Sequence, residues 1–249
     1  MYKIAFITGA TSGIGRATAL LLARNGFDII AAGRREERLQ ELAGAITQVR
    51  VKTLAFDVRD KAAVQAAVAG LSDDWRQIDV LVNNAGNAHG LSAIQDGAEE
   101  DWDMMLDINV KGLLYVSKAI MPLMVARKKG HIINLGSIAG KEVYANGNVY
   151  CASKFAVEAI SQGMRIDLNK EGIKVSEINP GAVNTEFSEV RFKGDKERAD
   201  AVYQGFQPLV AEDIADVILF MVTRPAHVNL ADVIILPIAQ ASATVINRS

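Results

Sequence analysis

Tyr150 stands four residues before Lys154 in the stretch "VYCASKF". On a helix those positions share one face, one turn apart. An ammonium placed there lowers the pKa of the phenol, which titrates near ~10 when free and needs such help to exchange protons at neutral pH. An ordinary solvated helix face carries the same spacing, so the pair takes its meaning from its surroundings. Cys151 lies beside Tyr150 and is the one cysteine. No histidine is near it in sequence and small residues often fill tight helix positions, so it reads as packing rather than as a nucleophile. The three histidines, His89, His131 and His227, show no metal-ligand spacing, and no metal is expected.

A second group of residues points to phosphate. The stretch "TGATSGIG" follows an apolar run and places Gly9, Gly13 and Gly15 around Thr11, Ser12 and Ile14. A strand, a glycine turn and a helix start in that order let backbone N–H groups face a pyrophosphate, and glycine permits the tight turn and close approach. A dinucleotide is therefore expected on this loop. The next apolar run ends in "AAGRREERL". A cofactor with a free ribose 2′-OH usually meets an acidic residue there, whereas this chain has Gly33, then Arg34 and Arg35. Two cations at a helix start are unfavourable as mere surface charges. Guanidinium forks suit a 2′-phosphate, so NADP(H) is expected over NAD(H).

The elements that must hold these groups alternate along the chain. Short apolar runs ("KIAFIT", "DIIAAG", "RVKTLAFDV", "IDVLVNNAG", "GHIINLGS", "IKVSEINPG", "ADVIILP") are separated by stretches of helical periodicity. Seven buried strands with intervening helices indicate an α/β fold with a doubly wound parallel sheet and helices on both faces. Helix 1 should stop at Asn25-Gly26, Asp60 should cap a helix, and a long helical stretch should run from about Glu99 to Arg127 with a bend near Pro122. No linker or repeat divides residues 1–249, so one domain is expected. The segment 185–207 breaks the rhythm with the charged run "EVRFKGDKERAD" and reads as a substrate loop or lid.

Bulk properties narrow the function. Among 249 residues half are hydrophobic, aromatics make up 6%, and the formal net charge is −2. With no basic tail and few aromatics, nucleic-acid binding has little support. The first apolar run is too short for a signal peptide or membrane span. A single cysteine excludes an intrachain disulfide and fits a reducing cytoplasm.

Taken in order, "TGATSGIG", "NNAG" at 83–86, Asn109, Ser137, Tyr150 with Lys154, and "NPG" at 179–181 resemble the short-chain dehydrogenase/reductase family over essentially the whole chain. The resemblance implies a Rossmann-like seven-stranded sheet with three helices on each side, and hydride transfer at a carbonyl or alcohol carbon. It implies that Tyr150 is the general acid/base, that Lys154 lowers its pKa and holds the nicotinamide ribose, and that Ser137 bonds the substrate oxygen. Asn109 would hold a water linking Lys154 to solvent. By the same motifs Asp57 and Val58 would contact adenine, Asn83, Asn84, Ala85 and Gly86 would line the ribose side, and Pro180, Gly181, Val183 and Thr185 would receive the nicotinamide end. Asn83 could instead bridge strands, and Asp57 could cap a turn.

Within the family, "GRREERLQEL", "GHIINLGSIAG", "NVYCASK", "TEFSEVRFKGD" and "PAHVN" look like the NADP-dependent 3-hydroxy acid dehydrogenases, which include serine and allo-threonine dehydrogenases. Sulfoacetaldehyde reductases share much of this pattern. A small substrate of the serine, allo-threonine or 3-hydroxypropionate type is expected, with a short aldehyde such as sulfoacetaldehyde, or a larger neutral carbonyl compound, as alternatives. The pocket-side segments "NAHGLSA" and "KEVYANG" have no fixed family pattern. Arg191 in the substrate loop is expected to pair with a substrate carboxylate or sulfonate, the alternative being a solvated arginine or one paired with Glu186 or Glu189. The family's usual assembly is a homotetramer.

Overall fold

The computed structural model describes residues 4–248; Lys3, counted in the first predicted strand, lies outside them. The chain runs β1 (Ile4–Thr8), α1 (Gly13–Arg24), β2 (Asp28–Gly33), α2 (Glu36–Ala45), β3 (Val51–Ala55), α3 (Lys61–Ala69) and β4 (Val80–Asn83). It continues through α4 (Glu99–Leu106), α5 (Leu113–Arg127), β5 (Gly130–Leu135), α6 (Asn148–Leu168), β6 (Ile173–Pro180), α7 (Phe187–Arg191), α8 (Lys196–Ala201), α9 (Ala211–Val222) and β7 (Asp232–Ile235). The seven strands form one parallel sheet in the order β3-β2-β1-β4-β5-β6-β7.

Strand periodicity builds two cores. Side chains alternate across a strand, so Ile4 and Phe6 of β1 join one cluster while Ala5 and Ile7 join the other. The first cluster is closed by α3, α5 and α6 through Val64, Ile120 and Val157. The second is closed by α1, α2 and α9 through Leu22, Leu39 and Ile218. Each such side chain, fully buried, contributes about 1.5–3 kcal/mol. The expected three helices on each face are therefore present, and their packing fixes where the strand ends point.

Local signals act as their chemistry requires. The α1 helix ends at Arg24 and the chain turns at Gly26, whose φ is +82°. The Asp60 carboxylate accepts from the amides of Ala62 and Ala63, capping α3. The helical stretch 99–127 is long and apolar enough to cross a membrane by length and composition. Its apolar face is nonetheless packed inward through Ile108, Leu113, Val116, Ile120 and Met124. A wide π turn interrupts it at Asp107–Gly112, and Pro122 lies inside α5. Segment 185–207 holds the two short helices α7 and α8 rather than an open loop.

The winding reverses between β1 and β4, which are direct neighbours although β2 and β3 intervene in sequence. A crevice opens at the strand carboxyl ends at such a point. The phosphate loop leaves β1 there and "NNAG" leaves β4.

Candidate active site

A cleft of about 550 Å³ lies along these strand ends. Its floor begins where β1 stops. Gly9 and Gly13 have φ of +65° and +49°, values that only glycine adopts without strain, and they turn the chain straight into α1. Ser12 caps that helix without a side-chain hydrogen bond, and its first turn has no acidic residue. The first amides of α1 are thus not covered by a side-chain cap, which is the arrangement that receives a phosphate group. The turn is tied to β4 because Asn84 Nδ2 donates to the carbonyls of Thr8 at 2.9 Å and Gly9 at 3.2 Å.

Arginines gather at the end of β2. The Arg35 guanidinium donates to Thr11 Oγ1 and Ser12 Oγ, both at 2.9 Å, and meets Glu186 at 3.0 Å. Arg38, which the sequence reading passed over, also meets Glu186, at 2.6 Å. Arg34 is exposed and stands 3.9 Å from Asp57. Asp57 is engaged chiefly by Arg59, 2.7 Å away. These groups fit a dinucleotide with a 2′-phosphate: a bare helix N-terminus for the pyrophosphate, and guanidinium groups where the extra phosphate would lie.

Deeper in the cleft, α6 presents Tyr150 and Lys154, both buried. Lys154 Nζ lies 5.9 Å from the Tyr150 ring centroid and donates to the Leu135 carbonyl at 2.8 Å. Ser137 follows β5. Its amide donates to Asn179 Oδ1 at 2.9 Å, and its hydroxyl accepts from the Ala139 amide at 3.1 Å. Burial pushes the Tyr150 phenol well above its ordinary value; the nearby Tyr144 adds to this, and Arg191 and Ser137 oppose it. Arg191, whose guanidinium carbon lies 4.8 Å from the Tyr150 ring centroid, is thus a second cation beside the phenol, in addition to Lys154. Burial also lowers Lys154, to about 8, against the attraction of Glu177.

Asn109 sits on the π turn. Its Oδ1 accepts from the Asn87 amide at 2.8 Å, and its Nδ2 donates to Asn87 O at 2.8 Å and Ser153 Oγ at 3.0 Å. A methyl group at Gly86 would lie 3.1 Å from Asn109 Oδ1 and 3.7 Å from Lys154 Nζ. Both side chains therefore close on that glycine, and a bulkier residue there would push between them.

Three residues singled out in the sequence do not line the cleft. Gly15 packs beneath it, where an added Cβ would strike Asn84 and the Gly9 carbonyl. Asn83 points into the core and bridges elements, donating to Ser117 Oγ and Asn134 Oδ1, both at 2.9 Å. The side chain of Asn109 is spent on Asn87 and Ser153. The other residues expected to bind cofactor or substrate line the cleft, including Ile14, Val58, Ala85, Pro180, Gly181, Val183 and Thr185.

The outer wall comes from α7 and was only partly foreseen. Arg191 Nη2 donates to the Tyr144 hydroxyl at 2.6 Å, and the guanidinium carbon lies 4.8 Å from the Tyr150 ring centroid. Phe187 packs on Tyr150 with ring centroids 5.7 Å apart. The segment is fastened across the cleft, since the Gly90 amide donates to Arg191 O at 3.0 Å and Lys193 meets Asp101 at 2.9 Å. Tyr144, Phe187 and His89 line the cleft but belong to the segments without a fixed sequence pattern, or to the loop itself. The buried Cys151 thiol is pushed up by burial, which disfavours the thiolate a nucleophile needs. Among the described residues no group of three His, Cys, Asp or Glu side chains is placed to hold a metal.

A glycine turn at the winding reversal, with a buried Tyr–Lys pair and a serine on the neighbouring strand end, is the layout of a nucleotide-dependent oxidoreductase. The sequence profile described as short chain dehydrogenase matches residues 3–196, and the chain belongs to that family. It is 46% identical over 241 residues to the NADP-dependent 3-hydroxy acid dehydrogenase YdfG of Salmonella typhimurium, covering 96% of this chain and 97% of that protein. It is 44% identical over 251 residues to sulfoacetaldehyde reductase 2 of Chromohalobacter salexigens, covering 100% of each. Among solved structures, the closed form of serine dehydrogenase complexed with NADP+ matches with a TM-score of 0.93 at 42% identity, covering 99% of this chain and 100% of that one.

Proposed function

We propose that this protein is an NADP(H)-dependent oxidoreductase that interconverts a small 3-hydroxy acid and its carbonyl form. Residues 1–249 act as one cofactor-binding and catalytic domain, and segment 185–207 serves as its lid. The relatives' names support the cofactor and the substrate class, and the arginines at the end of β2 support the 2′-phosphate. The chemistry that NADP(H) supplies when bound is hydride transfer at the hydroxyl- or carbonyl-bearing carbon. The amides at the start of α1 would hold its pyrophosphate and Arg34 and Arg35 its 2′-phosphate.

The chain's own residues handle the proton and the substrate. In oxidation Tyr150 takes the proton of the substrate hydroxyl, and in reduction it returns one to the carbonyl oxygen. Ser137 donates a hydrogen bond to that same oxygen. Lys154 stands behind the phenol as an ammonium and binds the nicotinamide ribose. Asn109 fixes the Asn87 backbone beside Lys154, with a water on that side carrying the proton onward. The fastened lid excludes bulk water from the reacting carbon. We place the protein in the cytoplasm as a homotetramer, following its cysteine usage and the family's usual assembly.

One observation carries the anionic substrate. Arg191 has no carboxylate partner among the described residues, because Glu186 is taken by Arg35 and Arg38. Its Nε is buried without a hydrogen-bond partner, and its guanidinium stands beside Tyr150. A guanidinium at the reacting end of a cleft, held only by the Tyr144 hydroxyl and paired with no carboxylate among the described residues, matches a substrate carboxylate. A sulfonate presents similar oxygens, so a short sulfonate aldehyde is the alternative substrate. Arg191→Ala should lower kcat/KM for 3-hydroxypropionate by ~30-fold or more, about 2 kcal/mol. A neutral alcohol of similar size should lose far less. An equal loss on both would reduce Arg191 to a shaping element of the lid.

A further inference from the structure

Behind the proposed catalytic pair lies a carboxyl group that the chemistry above does not use. Glu177 sits in the middle of β6, only 1% exposed, and its Oε1 has no hydrogen-bond partner. An ionised carboxylate in that setting is costly unless another charge compensates it. Its location supplies the candidate. A Cβ added to Gly136 would fall 2.3 Å from Glu177 Oε1, so the carboxyl packs directly against that glycine. The preceding carbonyl, that of Leu135, is the one that holds Lys154 Nζ at 2.8 Å. The carboxyl and the ammonium thus pack on one peptide unit at the end of β5.

The other charges facing Glu177 come from every neighbouring element. The helix α6 supplies Lys154 and Glu158, the turn after β5 supplies Lys141, and the edge strand β7 supplies Asp232. Lys141 bridges Glu158 at 2.9 Å and Asp232 at 2.7 Å and also draws on Glu177 more strongly than Lys154 does. Asp232 is further occupied by Asn179 Nδ2 at 2.7 Å. The attraction of Glu177 favours the charged form of Lys154 against the cost of burial. Burial pushes Glu177 up to about 7, Lys141 draws it down, Asp232 and Glu158 raise it, and Lys154 draws it down.

We propose that Glu177 is the buried counter-charge of Lys154, a positioning residue that keeps the ammonium protonated behind Tyr150 and so sets the upper pH limit of oxidation. The inference rests on the reading of Lys154 as a required ammonium. Its sign follows from the charges. A carboxylate raises the pKa of a nearby ammonium, so without it Lys154 loses its proton at lower pH. The tyrosine then loses its cation in the range where a tyrosinate is needed.

The test reads Lys154 directly in the free protein. Lysine labelled with ¹³C at Cε is titrated by NMR, with Lys154 assigned from its loss in Lys154→Met. Glu177→Gln should move the Lys154 midpoint down by roughly one pH unit, a size typical of a nearby buried charge. Glu177→Asp keeps the charge and should restore most of the wild-type value. A midpoint that ignores Glu177→Gln, or that falls equally in Glu177→Asp, overturns the proposal. Should Glu177→Gln fail to fold, the wild type decides. Two coupled sites titrate together, so the Lys154 curve must carry an inflection where a labelled glutamate carboxyl titrates, and a curve without one overturns the proposal. The readout needs no substrate. A protein inactive on hydroxy acids would sink the functional reading while leaving this shift in place.

Discussion

Tyr150→Phe is expected to lower kcat by about 10³-fold, within the usual range for losing a positioned general acid/base, while the dissociation constant for NADPH changes little. Phenylalanine keeps the ring, and with it the packing on Phe187 at 5.7 Å and the face turned toward Arg191. Only the hydroxyl is lost. The two readouts separate the role from the fold. A loss of turnover with intact cofactor binding places the phenol in the chemistry. Near-normal turnover would mean that the proton moves through another group and that the Tyr–Lys pair is packing. Burial holds the free phenol well above its ordinary value. Oxidation, which needs the tyrosinate, should therefore rise with pH, while reduction, which needs the protonated phenol, should not.

The second large effect concerns cofactor choice, and the structure sharpens how it should be measured. Replacing both Arg34 and Arg35 with alanine should raise the KM for NADP(H) by a factor equivalent to about 2–4 kcal/mol, the loss of two charge-assisted contacts. The single variants should differ. Arg34 is exposed, and among the described residues its one ion pair is with Asp57, at 3.9 Å, so Arg34→Ala should affect NADP(H) and leave NAD(H) nearly unchanged. Arg35 also braces the phosphate loop through Thr11 and Ser12, so Arg35→Ala should weaken both cofactors, NADP(H) more. Steady-state KM values for both cofactors on the three variants decide the matter. Equal losses on NADP(H) and NAD(H) in Arg34→Ala and in the double variant would show that the arginines do not read a 2′-phosphate.

Signals that act within a few residues carried over well from sequence to structure. Alternating apolar runs became the seven strands because strand periodicity alone decides which face a side chain takes. Asp60 caps its helix and Gly26 ends another because both depend on neighbours two or three positions away. Gly9, Gly13 and Arg35 meet at one loop because the βαβ unit is short. What depended on contacts far along the chain did not carry over. For Asn83 the sequence left open a cofactor contact or a bridge between strands, and only the packing of Ser117 and Asn134 beneath it decides for the bridge. The π turn at Asn109 has no local composition that marks it. Tyr144 and Arg191 are 47 positions apart and meet only because α7 folds across the cleft. Glu177 reads as a polar residue inside a strand, and its relation to Lys154 exists only once β5, β6 and α6 are packed together.

The most direct measurement is the rate of nicotinamide reduction by the wild-type protein with NADP+ or NAD+ and a set of alcohols. The set comprises serine, allo-threonine, 3-hydroxypropionate and neutral alcohols of matching size, with sulfoacetaldehyde and NADPH run in the reverse direction. Turnover with NADP+ on at least one 3-hydroxy acid is expected, with kcat/KM at least about tenfold above that with NAD+ and above that on the neutral alcohols, a difference of about 1.4 kcal/mol in transition-state binding. Turnover confined to neutral compounds, or equal use of NAD+, would contradict the assignment.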